Sequence, residues 1–188
     1  AYQAKNENIL ALRNYLSALR IAEDIKNPSL ILNCYQYLSS FYSEIEDYDK
    51  AIDYMTMAYK KLDETREKNA PYQKVIFNNY IGNLYAYKKN YDMAISYFEL
   101  SIRMADSLKF STLKIPAYVS LLNQYLRIDE PKKALDYLNS PPGDNLKKYL
   151  GNFGMASMID QAYGVVYTEL GNYDSARIYL ERARPMFE

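Results

Sequence analysis

Acid–base chemistry near neutral pH falls first to histidine, and this chain has none. The residue most used for general acid–base work and for metal ligation is therefore missing. A single cysteine, Cys34, leaves no internal disulfide and no cysteine-based zinc site. It reads as a small apolar residue on a helix. The 23 acidic side chains are the remaining route to catalysis, as a carboxylate pair or a hard-cation site. No EF-hand spacing occurs among them, and Glu44-Ile45-Glu46-Asp47 falls where a turn between helices is expected. The chemistry that the side chains do suit is recognition. Asn79, Asn83 and Asn123 each carry a donor and an acceptor, so they can pair with a peptide backbone of any sequence, and Arg127 can hold a carboxylate. The chain is expected not to be an enzyme and to use no cofactor and no metal.

Five phrases must position these side chains. They are Ala11-x3-Tyr15-x2-Ala18, Ala51-x3-Met55-x2-Ala58, Ala94-x3-Phe98-x2-Ser101, Ala134-x3-Leu138 and Ala176-x3-Leu180-x2-Ala183. Each sets a small residue one helical turn before a large apolar one. Their leading alanines recur every 40 to 43 residues, and a fixed period of that size predicts stacked helical repeats.

Composition agrees. At 188 residues, 49% hydrophobic and 24% charged, the chain can bury a core. Lys plus Arg balance Asp plus Glu at 23 each, so no overall field draws in nucleic acid or an anionic membrane surface. Neither nucleic-acid binding nor membrane insertion is expected of this segment. No apolar run approaches the ~18 residues of a membrane helix, and Ala1–Asn8 lacks a signal-peptide layout. The compartment stays open between cytoplasm and the extracytoplasmic sensor part of a membrane-anchored protein.

In chain order, residues 1–27 read as the second helix of a partial repeat. The first full unit, 28–66, carries Tyr35-x2-Leu38-Ser39-x2-Tyr42, an apolar stripe with a notch at Ser39, followed by the Ala51 helix. Residues 71–109 continue with Ile81-Gly82-x2-Tyr85, Asn90-Tyr91-Asp92-x-Ala94, Phe98 and Ser101. The last unit has Tyr163-Gly164-x2-Tyr167, Gly171-Asn172-Tyr173-Asp174-x-Ala176, Leu180 and Ala183. Over essentially the whole chain this pattern resembles the tetratricopeptide repeat: an aromatic, Leu-Gly and Tyr on one helix, then Ala, an aromatic and Ala on the next. The resemblance implies an all-α fold, a right-handed α-solenoid of stacked antiparallel helix pairs. All of 1–188 would form a single solenoid.

The departures are informative. The proline that closes such repeats is replaced by Glu23, Asp63, Asp106 and Glu188, so the second helices should run about one turn further than in the form of about 34 residues. Pro28 and Pro71 share one phase and should open helices. The divergent third unit, 111–143, has Leu122 where a small residue is preferred, and Ser140-Pro141-Pro142-Gly143 should cut its second helix short. Asp144 offers an N-cap, and 140–156 is expected to be irregular or mobile, ahead of the final repeat within 144–188.

Most of the 22 tyrosines fall in the repeat signature and belong to the core, with hydroxyls at the surface or on a turn carbonyl. The resemblance implies that peptides or partner helices lie on an inner wall lined by the first helix of each unit. One face of those helices, away from the buried signature, gives Asn33, Gln36 and Ser40; Asn79, Asn83 and Tyr87; Val119, Asn123 and Arg127; Gln161 and Thr168. Asn33, Gln36, Asn79, Asn83, Tyr87, Asn123, Arg127 and Gln161 form the candidate site. The lysine-rich clamp that some members use for acidic chaperone tails is missing from this set.

The reading is a protein- or peptide-binding scaffold. The long, degenerate repeats are similar to those in the input regions of bacterial sensor kinases and regulators, which implies a sensory or regulatory piece of a larger signalling protein. The final Arg184–Glu188 stretch without a capping helix points the same way, and uncovered end helices leave a homodimer open. Two other classes stand beside it: a glycan-binding solenoid, which needs a row of open tyrosine faces, and an all-helical hydrolase, which needs two buried acids converging in a pocket.

Overall fold

The computed structural model describes residues 2–65, 67–109, 111–152 and 156–184. These are helices and short turns, with no strand among the described residues. The chain divides into two compact units, Ala1–Leu108 and Lys109–Glu188.

The first unit contains α1 (Tyr2–Asp24), α2 (Pro28–Glu44), α3 (Tyr48–Thr65), α4 (Ala70–Tyr87) and α5 (Tyr91–Ser107). Helices α2 and α3 form one antiparallel pair and α4 and α5 the next, with α1 against α2 and α3 against α4. Pro28 opens α2 and Pro71 lies in the first turn of α4, where a missing N–H costs nothing. Helices α3 and α5 run past Asp63 and Asp106, as the absence of closing prolines implied.

One turn chemistry joins the helices and recurs in both units. Lys26, Glu46, Lys89, Asp129 and Gly171 adopt φ between 52° and 71°. The next residue's N–H then reaches back to a carbonyl of the last helical turn: Asn27 to Ala22, Asp47 to Tyr42, Asn90 to Tyr85, Glu130 to Tyr125 and Asn172 to Tyr167. This bond satisfies a carbonyl that the helix end leaves orphaned. The same residue starts the following helix, because Asn27, Asp47, Asn90 and Asn172 each accept a backbone N–H three residues on through Oδ1. Glu130 alone of the five lacks this side-chain bond.

The small residues are where helices approach most closely. Ala51, Ala58 and Ala94 are fully buried. The Ser39 hydroxyl donates to the Ala51 carbonyl at 2.7 Å and Ser101 to the Val75 carbonyl at 2.9 Å. At Gly82 a Cβ would stand 2.6 Å from the Phe98 ring, and at Gly164 it would meet Leu180 at 2.5 Å. These glycines are notches that receive the large residue of the partner helix. Around them, Leu32, Met55, Leu62, Phe77 and Ile81 form one core cluster, and Leu38, Phe41, Tyr42, Ile52 and Leu84 another.

Cys34 packs in a smaller cluster with Ala22 and Ile31. Burial pushes its thiol above the usual range, and Glu23 pushes it the same way, so the thiolate is scarce at neutral pH. Alkylation by iodoacetamide is expected to be roughly tenfold or more slower in the native chain than in urea. Equal rates in a mass-spectrometric time course would show that the thiol is open.

The second unit begins with a 3-10 turn, Ser111–Lys114, followed by α6 (Ile115–Arg127), α7 (Pro131–Leu138), α8 (Pro141–Asn152), α9 (Ala156–Glu169) and α10 (Tyr173–Ala183). Helices α9 and α10 form a pair like those of the first unit, and α7 packs on α6 and α9. The short α7 is as expected. The irregular segment is not: 141–152 is a helix that packs on α6, α7 and α9. Two prolines suit its first turn, the Ser140 carbonyl accepts the Asp144 N–H at 2.9 Å, and Asp144 lies inside the first turn rather than capping it. Residues 153–155 of that expected segment, and 185–188 at the end of the chain, lie outside the described residues.

Candidate functional site

In α6, Leu122 occupies the phase that Ser39, Gly82 and Gly164 hold in the other leading helices. A leucine cannot receive a partner side chain as a notch does, and Leu122 instead lines a cavity of about 360 Å³ inside the second unit. Helix α6 contributes Val119, Leu122, Asn123 and Leu126. Helix α8 contributes Leu146 and Leu150, both buried. Helix α9 completes it with Met158, Ile159, Gln161, Ala162 and Val165. Nine of these eleven side chains are apolar and none is charged. The two polar ones, Asn123 and Gln161, are exposed carboxamides. Such a recess favours an apolar group, and amides beside it can bond the polar atoms next to that group.

Of the eight candidate residues, Asn123 and Gln161 thus come to one cavity. Arg127 is exposed in the last turn of α6, where its charge complements the helix C-terminus, and it does not line the cavity. In the first unit, Asn33 is exposed and Gln36 half-buried on α2. Asn83 is half-buried on α4. Tyr87 is 55% exposed, and its ring stacks on Tyr48 at 5.7 Å. Asn79 shares that helix face, but its Oδ1 is shut off from solvent without a partner, so its acceptor is not open to a peptide. The leucines of α8 and the Met158 and Val165 pair were missed by sequence reasoning. Their signal was the apolar spacing of Leu146 and Leu150, one turn apart.

The tyrosines mostly face one another. Tyr42 stacks on Tyr54 at 5.5 Å, Tyr85 on Tyr97 at 5.5 Å, and Tyr163 on Tyr179 at 4.8 Å. The Tyr163 hydroxyl donates to Asn139 Oδ1 at 2.8 Å, just past the C-terminus of α7. Tyr137 departs from the expected surface-reaching pattern: its hydroxyl is buried without a partner, and desolvation pushes its pKa far up. Among the described residues no Asp or Glu is buried, and no group of three or more His, Cys, Asp or Glu side chains could hold a metal ion. No helix of the described residues is long and apolar enough to cross a membrane.

The class is that of α-helical repeat proteins built from helix–turn–helix units. A tetratricopeptide repeat profile matches residues 79–107 and 161–183, covering much of the α4–α5 and α9–α10 pairs. Those two segments match the tetratricopeptide repeat, and the chain shares the fold of proteins built from such repeats. It is similar to a Signal Transduction ATPase with Numerous Domains from Pyrococcus horikoshii that carries a tetratricopeptide repeat sensor. The TM-score is 0.77 at 18% identity, over 96% of this chain but only 28% of that one. BtubC (BKLC) from P. vanneervenii matches at a TM-score of 0.56 and 16% identity, over 97% of this chain and 90% of that one. The tetratricopeptide repeat domain of Arabidopsis FLU matches at 0.51 and 22% identity, over 62% and 96%. At these identities the likeness is one of fold. A search of curated proteins returns no match.

Proposed function

We propose that the chain is a protein-interaction scaffold whose second unit takes a large apolar side chain of a partner polypeptide into the cavity between α6, α8 and α9. Asn123 and Gln161 pair with the backbone on either side of that anchor. The observation that carries this reading is the lining itself: apolar and uncharged, with two carboxamides at its opening. On the first unit, Asn33, Gln36, Asn83 and Tyr87 offer a further row of contacts, and Arg127 can hold a carboxylate of the partner. The setting is the sensory or regulatory part of a larger bacterial signalling protein. Support for it is the similarity to the Pyrococcus protein, which carries a tetratricopeptide repeat sensor and of which the matched region is just over a quarter.

Selection from a random-peptide display library tests this. Wild type should enrich peptides that share one large apolar residue. Asn123→Ala with Gln161→Ala, both at exposed positions, should weaken those peptides by about tenfold, the value of one or two hydrogen bonds. Val165→Glu places a charge at a partly exposed lining position and should abolish binding. Peptides that bind all three proteins equally would place the interaction elsewhere and end this reading.

A further inference from the structure

The second helix of a repeat buries one face against the leading helix of its own pair. In α3 that face holds Lys50, whose ammonium stands 5.0 Å from the Tyr42 ring centre, and Ala51, whose carbonyl accepts the Ser39 hydroxyl. Tyr54, stacked on Tyr42, and the fully buried Ala58 continue it. Forty residues earlier the same positions of α1 are Leu10, Ala11, Asn14 and Ala18. No leading helix covers them: Leu10 is 58% exposed, and Asn14 and Ala18 are exposed as well. Ile21, at 61%, and Ile25, at 58%, extend the stripe. Ile25 still follows the helical turn, its N–H bonding the Ile21 carbonyl at 3.1 Å. Where α3 carries Lys50 and Lys61 at the margins of this face, α1 carries Leu10 and Ile21. The uncovered face is therefore more apolar than the covered one, and a contiguous apolar stripe open to water marks an interaction surface.

We propose that this stripe is a dimer seam, along which two copies of the chain meet through antiparallel α1 helices. The spacing of Leu10, Asn14, the Ser17–Ala18 pair, Ile21 and Ile25 reads the same in both directions about the point between Ser17 and Ala18. A two-fold contact needs a surface that complements itself in this way. In the antiparallel register Leu10 faces Ile25 of the second copy and Asn14 faces Ile21, while small side chains meet at the centre and let the helices approach closely. Charge agrees with that register. No charged side chain lies in the stripe between Leu10 and Ile25, and beside it stand Arg13 and Asp24, both exposed and without an ion-pair partner among the described residues. The register sets Arg13 within two residues of Asp24 of the second copy, and the symmetry makes this pair twice. The seam is about four turns, or ~22 Å, long. That is the small end of stable interfaces, so the dimer should dissociate in the micromolar range. It lies in the first unit and is independent of the peptide cavity in the second.

Sedimentation velocity of the full chain from roughly 1 to 500 μM tests the seam. Wild type should pass from monomer to dimer over that range. Ile21→Glu, at an exposed position, should raise the dissociation constant by at least about tenfold with an unchanged circular dichroism spectrum. Ile178→Glu, at a comparably exposed position on α10, should leave the constant unchanged. The charges report the register. Arg13→Asp and Asp24→Arg should each weaken the dimer by about threefold to tenfold. The double variant exchanges the two ends of both pairs and should regain most of the loss, which a parallel contact or a contact with another surface would not allow. A chain that stays monomeric at every concentration, equal weakening by Ile178→Glu and Ile21→Glu, or a double charge variant weaker than either single one would overturn the seam.

Discussion

Replacing Phe98 with alanine is expected to destabilise the first unit by about 3–5 kcal/mol. Its ring is 1% exposed and fills the notch over Gly82, with the ring carbons closer to that backbone than any Cβ would allow. Removing the ring leaves a void bounded on one side by a residue that has no side chain to fall into it. A domain of this size is typically stable by only about 5–15 kcal/mol, so urea unfolding followed by circular dichroism should register a large shift in midpoint. A second substitution makes the argument specific. In the native background Gly82→Ala drives a methyl group into the ring and should cost about 1–3 kcal/mol. In the Phe98→Ala background the same methyl enters vacated space and gains up to about 1 kcal/mol of helix propensity, so the sign reverses. A cost below about 1 kcal/mol for Phe98→Ala, or the same sign for Gly82→Ala in both backgrounds, would mean that the notch does not organise the pair.

How much of this was legible follows from which physics acts locally. The notches at Ser39, Gly82 and Gly164 were readable because each stands at a fixed phase before an alanine, and helical periodicity turns that phase into a contact. The turns rest on equally local bonds, of which the sequence pattern marked the positions and not the capping residues. Asn27, Asp47, Asn90 and Asn172 close one helix through their N–H and cap the next through Oδ1, both short-range bonds. Helix α8 was not readable. Pro141, Pro142 and Gly143 are breakers in a helix interior but acceptable in a first turn, and only the packing of Leu146 and Leu150 against α6 and α9 decides between the two. The cavity was half legible as a consequence: phase placed Asn123 and Gln161 on one face, while its α8 wall lay in the segment read as irregular. Asn79 marks the limit of such reasoning. Phase gives the face on which a side chain lies, and its buried Oδ1 depends on how deeply that face is covered.

The junction between α7 and α8 should be the least tolerant place in the second unit. A Cβ added at Gly143 would stand 2.4 Å from the Tyr137 carbonyl oxygen, 2.5 Å from that of Leu138 and 2.7 Å from the Leu138 carbonyl carbon. At Gly82 and Gly164 the obstacles nearest the added methyl are side-chain atoms, which can rotate away. Here they are backbone atoms of the last turn of α7. Gly143→Ala is therefore expected to cost about 3 kcal/mol or more, at the upper end for overpacking, even though alanine is the better helix former by about 1 kcal/mol. Relief requires α8 to tilt or the end of α7 to unwind, and either movement pulls on the bond from the Tyr163 hydroxyl to Asn139. It also displaces Leu146 and Leu150 from the cavity between α6, α8 and α9. Val165→Glu, at a partly exposed lining position, should impair peptide binding with little change in melting temperature, whereas Gly143→Ala should lower the melting temperature and weaken peptide binding together. A raised melting temperature with the peptide still bound would mean that the junction yields to a methyl group, and that α8 owes its position to its leucines rather than to this close backbone approach.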